Sequence, residues 1–124
     1  MKLLFLVLTC HFLGLTAHAQ LRENTRAPNF DLMSYDGIRV QLETSQSKVT
    51  IVNFWASWCG PCIKSLDHTI IPLYNEYDRT EVNVIGISND IKEEKWRAAI
   101  EKYNIPWANV WDEDRSLVRV YQVP

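Results

Sequence analysis

Two cysteines three positions apart, Cys59 and Cys62, are the residues best equipped for chemistry in this sequence. A pair at that spacing can supply half a zinc site, form a structural disulfide, or cycle between dithiol and disulfide. Their setting bears on the choice. The stretch Trp55-Ala56-Ser57-Trp58-Cys59-Gly60-Pro61-Cys62 joins a β-branched and aromatic run to an amphipathic one, so Cys59 falls where a strand gives way to a helix. The free amides and dipole of a first helical turn stabilise a thiolate at such a position. Cys62 lies about one turn further on, facing the same side. Pro61 suits that first turn, where its missing amide costs nothing, and Gly60 offers no side chain to obstruct an incoming disulfide. In this arrangement Cys59, as thiolate, attacks a disulfide sulfur, and Cys62 resolves the mixed disulfide. The couple needs no cofactor beyond itself. No second CxxC and no HxxxH accompanies it to complete a zinc site.

The elements that must hold this pair are readable in outline. Val49 to Trp55 is almost continuously apolar, the pattern of a central strand buried on both faces. After Cys59 the period changes: Ile63, Leu66, Ile70, Leu73 and Tyr77 form one helical stripe. Pro72 interrupts it and withholds the amide that would bond the His68 carbonyl, which predicts a kink or a split into two helices. Val82 to Ile87 is a second buried strand. Asp90 reads as a helix N-cap with Glu93 as its box partner, and Ile91 or Trp96, Ile100 and Tyr103 as the inward face. Trp107 to Val110 suggests a short strand, and Ser116 to Tyr121 a short helix. Upstream, Phe30 and Leu32, the Asp36-Gly37 turn, and Ile38 and Val40 spell a hairpin. Gln20 to Pro28 is polar and aperiodic, a flexible lead-in. Strand, helix, strand, helix with short joints predicts a parallel βαβα unit.

The first nineteen residues belong to a different category. Lys2, an apolar run from Leu3 that continues brokenly to Leu15, and Ala17-His18-Ala19 describe a secretory signal peptide. The run is shorter than a membrane span requires. Lipidation at Cys10 is the rival reading, against which Val7-Leu8-Thr9 lacks a small residue just before the cysteine. Cleavage after Ala19 leaves Cys59 and Cys62 as the only thiols, in a compartment where disulfides persist. With 124 residues, 13 Lys plus Arg and 15 Asp plus Glu, the chain suits one domain, 29–124, and lacks the basic footprint of a nucleic-acid binder.

Phe54-Trp55-Ala56-Ser57-Trp58-Cys59-Gly60-Pro61-Cys62 resembles the active-site stretch of the thioredoxin superfamily. The export signal, the Asp36-Gly37 hairpin, Val84-Ile85-Gly86-Ile87-Ser88, Trp96, and Asp112 through Tyr121-Gln122-Val123 extend the resemblance to the TlpA/ResA-like exported thiol-disulfide oxidoreductases. The resemblance implies an α/β thioredoxin-like fold with an N-terminal β-hairpin and a βαβα unit. It implies a periplasmic or envelope location and a soluble monomer after signal cleavage. It also implies reduction of protein disulfides, those of apocytochrome c among them, with electrons from a membrane thiol-disulfide carrier. Trp58 then lines the substrate surface, and Asn53 stands where ordinary thioredoxins bury an Asp. Asn53 cannot take a proton, which leaves the base for Cys62 open. Asp67 stands where exported relatives carry a proline, with Pro72 following later. The family's cis-proline falls beyond Pro124 when counted from Tyr121. We therefore expect a ββα portion to lie past this sequence, and Val49 to Trp55 to present an open edge without it.

Other residues read more plainly. Trp55, Trp96, Trp107 and Trp111 pack; His68 is solvated; Lys92, Glu93, Glu94 and Lys95 form a wet helix face; Asp112-Glu113-Asp114 is an acidic turn without the ligand spacing of a metal site. Three alternatives stand beside the oxidoreductase. A peroxiredoxin-like peroxidase wants Thr where Ala56 stands. A metallochaperone wants wider cysteine spacing and a distant His. An inert remnant, or binding module, would keep the disulfide for structure alone.

Overall fold

The computed structural model describes residues 21–124; the predicted signal peptide 1–19, with Cys10, lies outside the described residues. Strand β1 (Asp31–Met33) and strand β2 (Arg39–Gln41) pair antiparallel as the hairpin expected from Asp36-Gly37. The Ser34 carbonyl accepts from the Gly37 amide at 2.9 Å, and Gly37 takes φ +76°, a left-handed value that favours glycine. Strands β3 (Val49–Trp55), β4 (Val82–Ser88) and β5 (Ala108–Trp111) form a parallel sheet in that order. The hairpin docks on β5: Ser34 bridges Val110, and the Tyr35 amide donates to the Asn109 carbonyl at 2.8 Å.

The sheet order matches the open edge expected at Val49 to Trp55. Strand β4 is central, whereas β3 is the edge of the described sheet, its residues mostly half-buried and Val49 53% exposed.

Apolar residues alternate between two layers. Ile51, Trp55 and Val84 join Leu66, Trp96, Ala99, Ile100 and Trp107 on one face. Val52, Phe54, Ile85, Ile87 and Val110 meet Phe30, Leu32, Val40, Leu117 and Tyr121 on the other. The first face is covered by the helical run after Cys59 and by helix α3 (Glu93–Tyr103). The second is covered by the hairpin and helix α4 (Ser116–Val120).

The run after Cys59 is helix α1 (Gly60–Ser65), a π-helical segment (Leu66–Ile70) and helix α2 (Ile71–Glu76). The Ile71 amide bonds the Leu66 carbonyl five residues back. Widening the helix there accommodates Pro72, whose ring would otherwise crowd the carbonyl four residues before it. The extra residue in the turn rotates everything downstream by about 100°. The stripe therefore leaves the predicted Leu73 and Tyr77: Ile70, Ile71 and Tyr74 pack on the core, and Tyr77 is exposed.

A second correction falls on α3. Its N-cap position is Lys92, without a side-chain bond, and Ile91 points to solvent at 82% exposure. Asp90 is turned inward and is 2% exposed. Trp96, Ala99 and Ile100 carry the buried face.

Candidate active site

Cys59 and Cys62 are joined as a disulfide, with Cα atoms 5.2 Å apart. Cys59 occupies the N-cap of α1 in extended conformation, and its Sγ accepts from the Cys62 amide at 3.3 Å. The Ile63 amide donates to the Cys59 carbonyl at 3.0 Å, closing the first turn, and Pro61 sits within that turn. An amide aimed at sulfur at a helix start is the arrangement that favours negative charge on that sulfur. The two cysteines differ in support. Cys62 packs on the apolar cluster of Trp55, Leu66 and Trp96, and Cys59 lies outside that cluster.

The surface around the pair is open. Trp58 is 66% exposed, Pro61 and Gly60 are exposed, and a Cβ built on Gly60 meets nothing within 4 Å. A cleft of about 550 Å³ between the hairpin, α3 and the segment after β5 includes neither cysteine. A half-buried couple flanked by exposed Trp58, Gly60 and Pro61 suits a reaction partner that is itself a protein surface.

Asn53 is on β3, paired in register with Gly86. By strand alternation it shares the sheet face of Ile51 and Trp55, the face that Cys62 packs against. Its Nδ2 is buried without a hydrogen-bond partner. Across Gly86 in the same row lies Asn109, 1% exposed, whose Oδ1 accepts from Trp55 Nε1 at 2.8 Å.

The turn before the couple is held from a distance. The Cys59 amide bonds the Ala56 carbonyl at 3.1 Å. Between them, Ser57 gives its amide to both Asp90 oxygens at 3.2 and 3.0 Å, and its hydroxyl to Oδ1 at 2.6 Å. Ser88 Oγ donates to Asp90 Oδ2 at 2.7 Å, and the Asp90 carbonyl accepts from Trp111 Nε1 at 2.7 Å. Ser57 and Asp90 are 33 residues apart in sequence, and no local pattern joins them.

Asp112 is a second buried carboxylate, also 2% exposed. It accepts from the Leu117 and Val118 amides at 3.1 and 3.0 Å and so caps α4. The acidic turn is thus structural on its first member. His68 is exposed on the π-helical segment. Among the described residues no group of three or more His, Cys, Asp or Glu is placed to hold a metal, and no helix is long and apolar enough to cross a membrane.

Three comparisons agree with this geometry. The model of the AhpC/TSA family matches residues 24–124. Thiol-disulfide oxidoreductase ResA of a Bacillus cereus strain is 23% identical over 98% of the chain and 74% of its own length. ResA of Bacillus subtilis is 27% identical over 83% of the chain, which spans only 57% of that relative. Among solved structures, the thioredoxin domain of a thiol-disulfide oxidoreductase from Bacteroides vulgatus superposes with a TM-score of 0.76. That match has 26% identity and covers 85% of the chain and 76% of the domain.

Proposed function

The chain belongs to the AhpC/TSA family and is a TlpA/ResA-like oxidoreductase of thioredoxin-like fold, and on that premise we propose that it reduces protein disulfides through Cys59 and Cys62. The observation that carries this reading is the placement of the pair. Cys59 caps a helix with an amide at its sulfur, on open surface beside an exposed Trp58.

In the reduced chain, Cys59 thiolate attacks one sulfur of a substrate disulfide. The substrate bond breaks, and the departing sulfur leaves as thiolate and takes a proton. Cys62, losing its own proton to water, attacks Cys59 Sγ. The mixed disulfide breaks, the second substrate thiol leaves, and Cys59–Cys62 is restored. Two electrons pass from the chain to the substrate. The attacking thiol works best with a pKa near ambient pH, which the helix start promotes. Trp58 gives an incoming polypeptide an apolar surface beside the reacting sulfur, and Gly60 and Pro61 keep the approach clear. The couple itself is the redox group, and no cofactor enters.

The signal-peptide pattern of residues 1–19 supports an envelope or periplasmic site of action, where a membrane thiol-disulfide carrier would return the electrons. Disulfide-bearing envelope proteins, apocytochrome c among them, are the substrate class we assign. The roles are cytochrome c maturation or general redox homeostasis. The peroxidase alternative is disfavoured at Ala56, which has no hydroxyl for a peroxide and is 1% exposed.

The test is insulin reduction by the chain with dithiothreitol as reductant, beside Cys59→Ser. Turnover that disappears in the variant supports the reading. A folded wild-type chain that fails to accelerate insulin reduction refutes it and leaves a structural disulfide on a binding module.

A further inference from the structure

Asp90 is a buried carboxylate that the reaction above does not use. Its side chain is held by neutral donors: the Ser57 amide and hydroxyl and the Ser88 hydroxyl. Burying a carboxyl group in this way is costly unless its hydrogen-bond partners are well placed. It is out of proportion for a loop that needed only to close. The bonds fall on one residue of the turn that presents the couple. Ala56 and Cys59 are the ends of that turn, joined at 3.1 Å, and Ser57 and Trp58 are its middle. Ser57 ties the middle of the turn to Asp90 through both its amide and its hydroxyl, and Cys59 lies at the helix start with its sulfur at the Cys62 amide.

We propose that Asp90 is a positioning residue for the dithiol couple, holding the Ala56–Cys59 turn so that closure of Cys59–Cys62 is favoured. This rests on the redox reading of the pair. Intramolecular closure is driven by the effective concentration of one sulfur at the other. A turn locked from below raises that concentration, and a released turn lowers it. Releasing Asp90 therefore shifts the couple toward the open dithiol and makes its potential more oxidising.

The equilibrium that reads this is closure by glutathione disulfide. The dithiol loses two electrons, the Cys59–Cys62 bond forms, the glutathione disulfide bond breaks, and two glutathione thiols take up the two protons. The full chain is equilibrated in glutathione buffers and the open fraction is trapped by alkylation. Asp90→Ala should lower the closure constant about tenfold, or about 30 mV for a two-electron couple. Asp90→Asn should stay within about threefold of wild type. Its amide oxygen in the Oδ1 place can still accept from the Ser57 amide and hydroxyl, and its nitrogen can donate to Ser88 Oγ, while the Ser57 amide contact at the Oδ2 place is lost. Asp112→Ala is the structural control. It removes an equally buried carboxylate from the same end of the sheet whose bonds go to α4, and should leave the constant within about twofold.

A closure constant unchanged in Asp90→Ala overturns the proposal. So does an equal shift in Asp112→Ala, or an Asp90→Asn variant as impaired as Asp90→Ala. If Asp90→Ala does not fold, Ser57→Ala decides alone. It deletes one hydroxyl at a half-buried position, and a shift of about threefold supports the latch while no shift overturns it. A wild-type couple that titrates but never reduces insulin removes the reductase reading, and the latch still stands or falls on these ratios.

Discussion

Gly86→Ala places a methyl group where Asn109 already stands. A Cβ at Gly86 would lie 2.1 Å from Asn109 Oδ1 and 2.7 Å from its Cγ, far inside contact distance. Gly86 is the centre of its row, between Asn53 on β3 and Asn109 on β5. Asn109 is not free to swing aside. Its Oδ1 accepts from Trp55 Nε1 at 2.8 Å, and its Nδ2 donates to the Trp107 carbonyl at 3.2 Å. Displacing it strands the indole N–H of a Trp55 that is 2% exposed, which costs about 1–3 kcal/mol. Forcing a methyl into a filled layer adds about 1–3 kcal/mol, and relief of the strand glycine returns about 0.5–1 kcal/mol. The net loss centres on about 3 kcal/mol by these contributions. At about 4–8 °C per kcal/mol for a domain of this size, Tm should fall by more than about 10 °C. Urea unfolding of Gly86→Ala, Asn109→Ala and the double variant measures it. Asn109→Ala already strands Trp55 Nε1 and empties the space, so adding Gly86→Ala should cost nothing further, a coupling of about 2 kcal/mol or more. A Gly86→Ala variant within about 0.5 kcal/mol of wild type, or strict additivity in the double variant, would refute the reasoning.

Cys62→Ser should accumulate a mixed disulfide between Cys59 and substrate, visible by mass spectrometry; free Cys59 after incubation with insulin would count against its role as nucleophile. Trp58→Ala should leave stability within about 0.5 kcal/mol, since the residue is exposed, yet raise KM for protein disulfides. Equal KM values in the two proteins would remove Trp58 from the substrate surface. Asp78 has its carboxyl held below the usual range, first by the Thr80 amide and then by the Thr80 hydroxyl. The stability this contributes is fully present above the ordinary carboxylate pKa of about 3.9 and is lost as pH falls through the lower folded value. Asp78→Asn should therefore destabilise at pH 7 and lose its effect in acid, and a pH-independent difference in the urea midpoint would contradict this.

Much of the scaffold is legible in the sequence because its signals are local. Asp36-Gly37 sets the hairpin turn, Val49 to Trp55 and Val82 to Ile87 carry strand patterns, and Pro72 announces a disturbed helix. Cys59 and Cys62 are legible for the same reason: the strand run ends and the helical period begins on either side of them. What Pro72 does to the downstream face is not legible. One additional residue in the turn re-registers the stripe from Leu73 and Tyr77 to Ile71 and Tyr74, and a hydrophobic pattern rich enough to fit both registers hides the choice.

Long-range polar bonds are illegible for a different reason. Asp90 three residues before Glu93 satisfies every local criterion of an N-cap, and a lone carboxylate near a helix start is ordinarily solvated there. The structure turns it toward Ser57 instead, where it accepts from the amide and hydroxyl of a half-buried turn residue. The Trp55–Asn109 bond is hidden likewise: tryptophan in a strand reads as core, and nothing nearby in sequence shows where its N–H will go.

These bonds collect at one end of the molecule. Trp55, Ser88 and Trp111 are the last residues of three parallel strands. The Asn89 amide donates to the Trp55 carbonyl at 3.1 Å, and the Asp112 amide donates to the Ser88 carbonyl at 2.8 Å. With Asp90 between Ser57 and Trp111, the three strand ends form one polar rim. Cys59 hangs from that rim, and Cys62 rests on the apolar layer below it. The two sulfurs are thus held by different physics, which separates stability from redox poise. Leu66→Ala, which cuts into the layer under Cys62 at a residue 1% exposed, should cost about 2–5 kcal/mol of folding energy. While the fold survives, the couple should shift little. Removing the Asp90 bonds should do the opposite, because they act on the geometry of one turn while the two apolar layers keep their contacts.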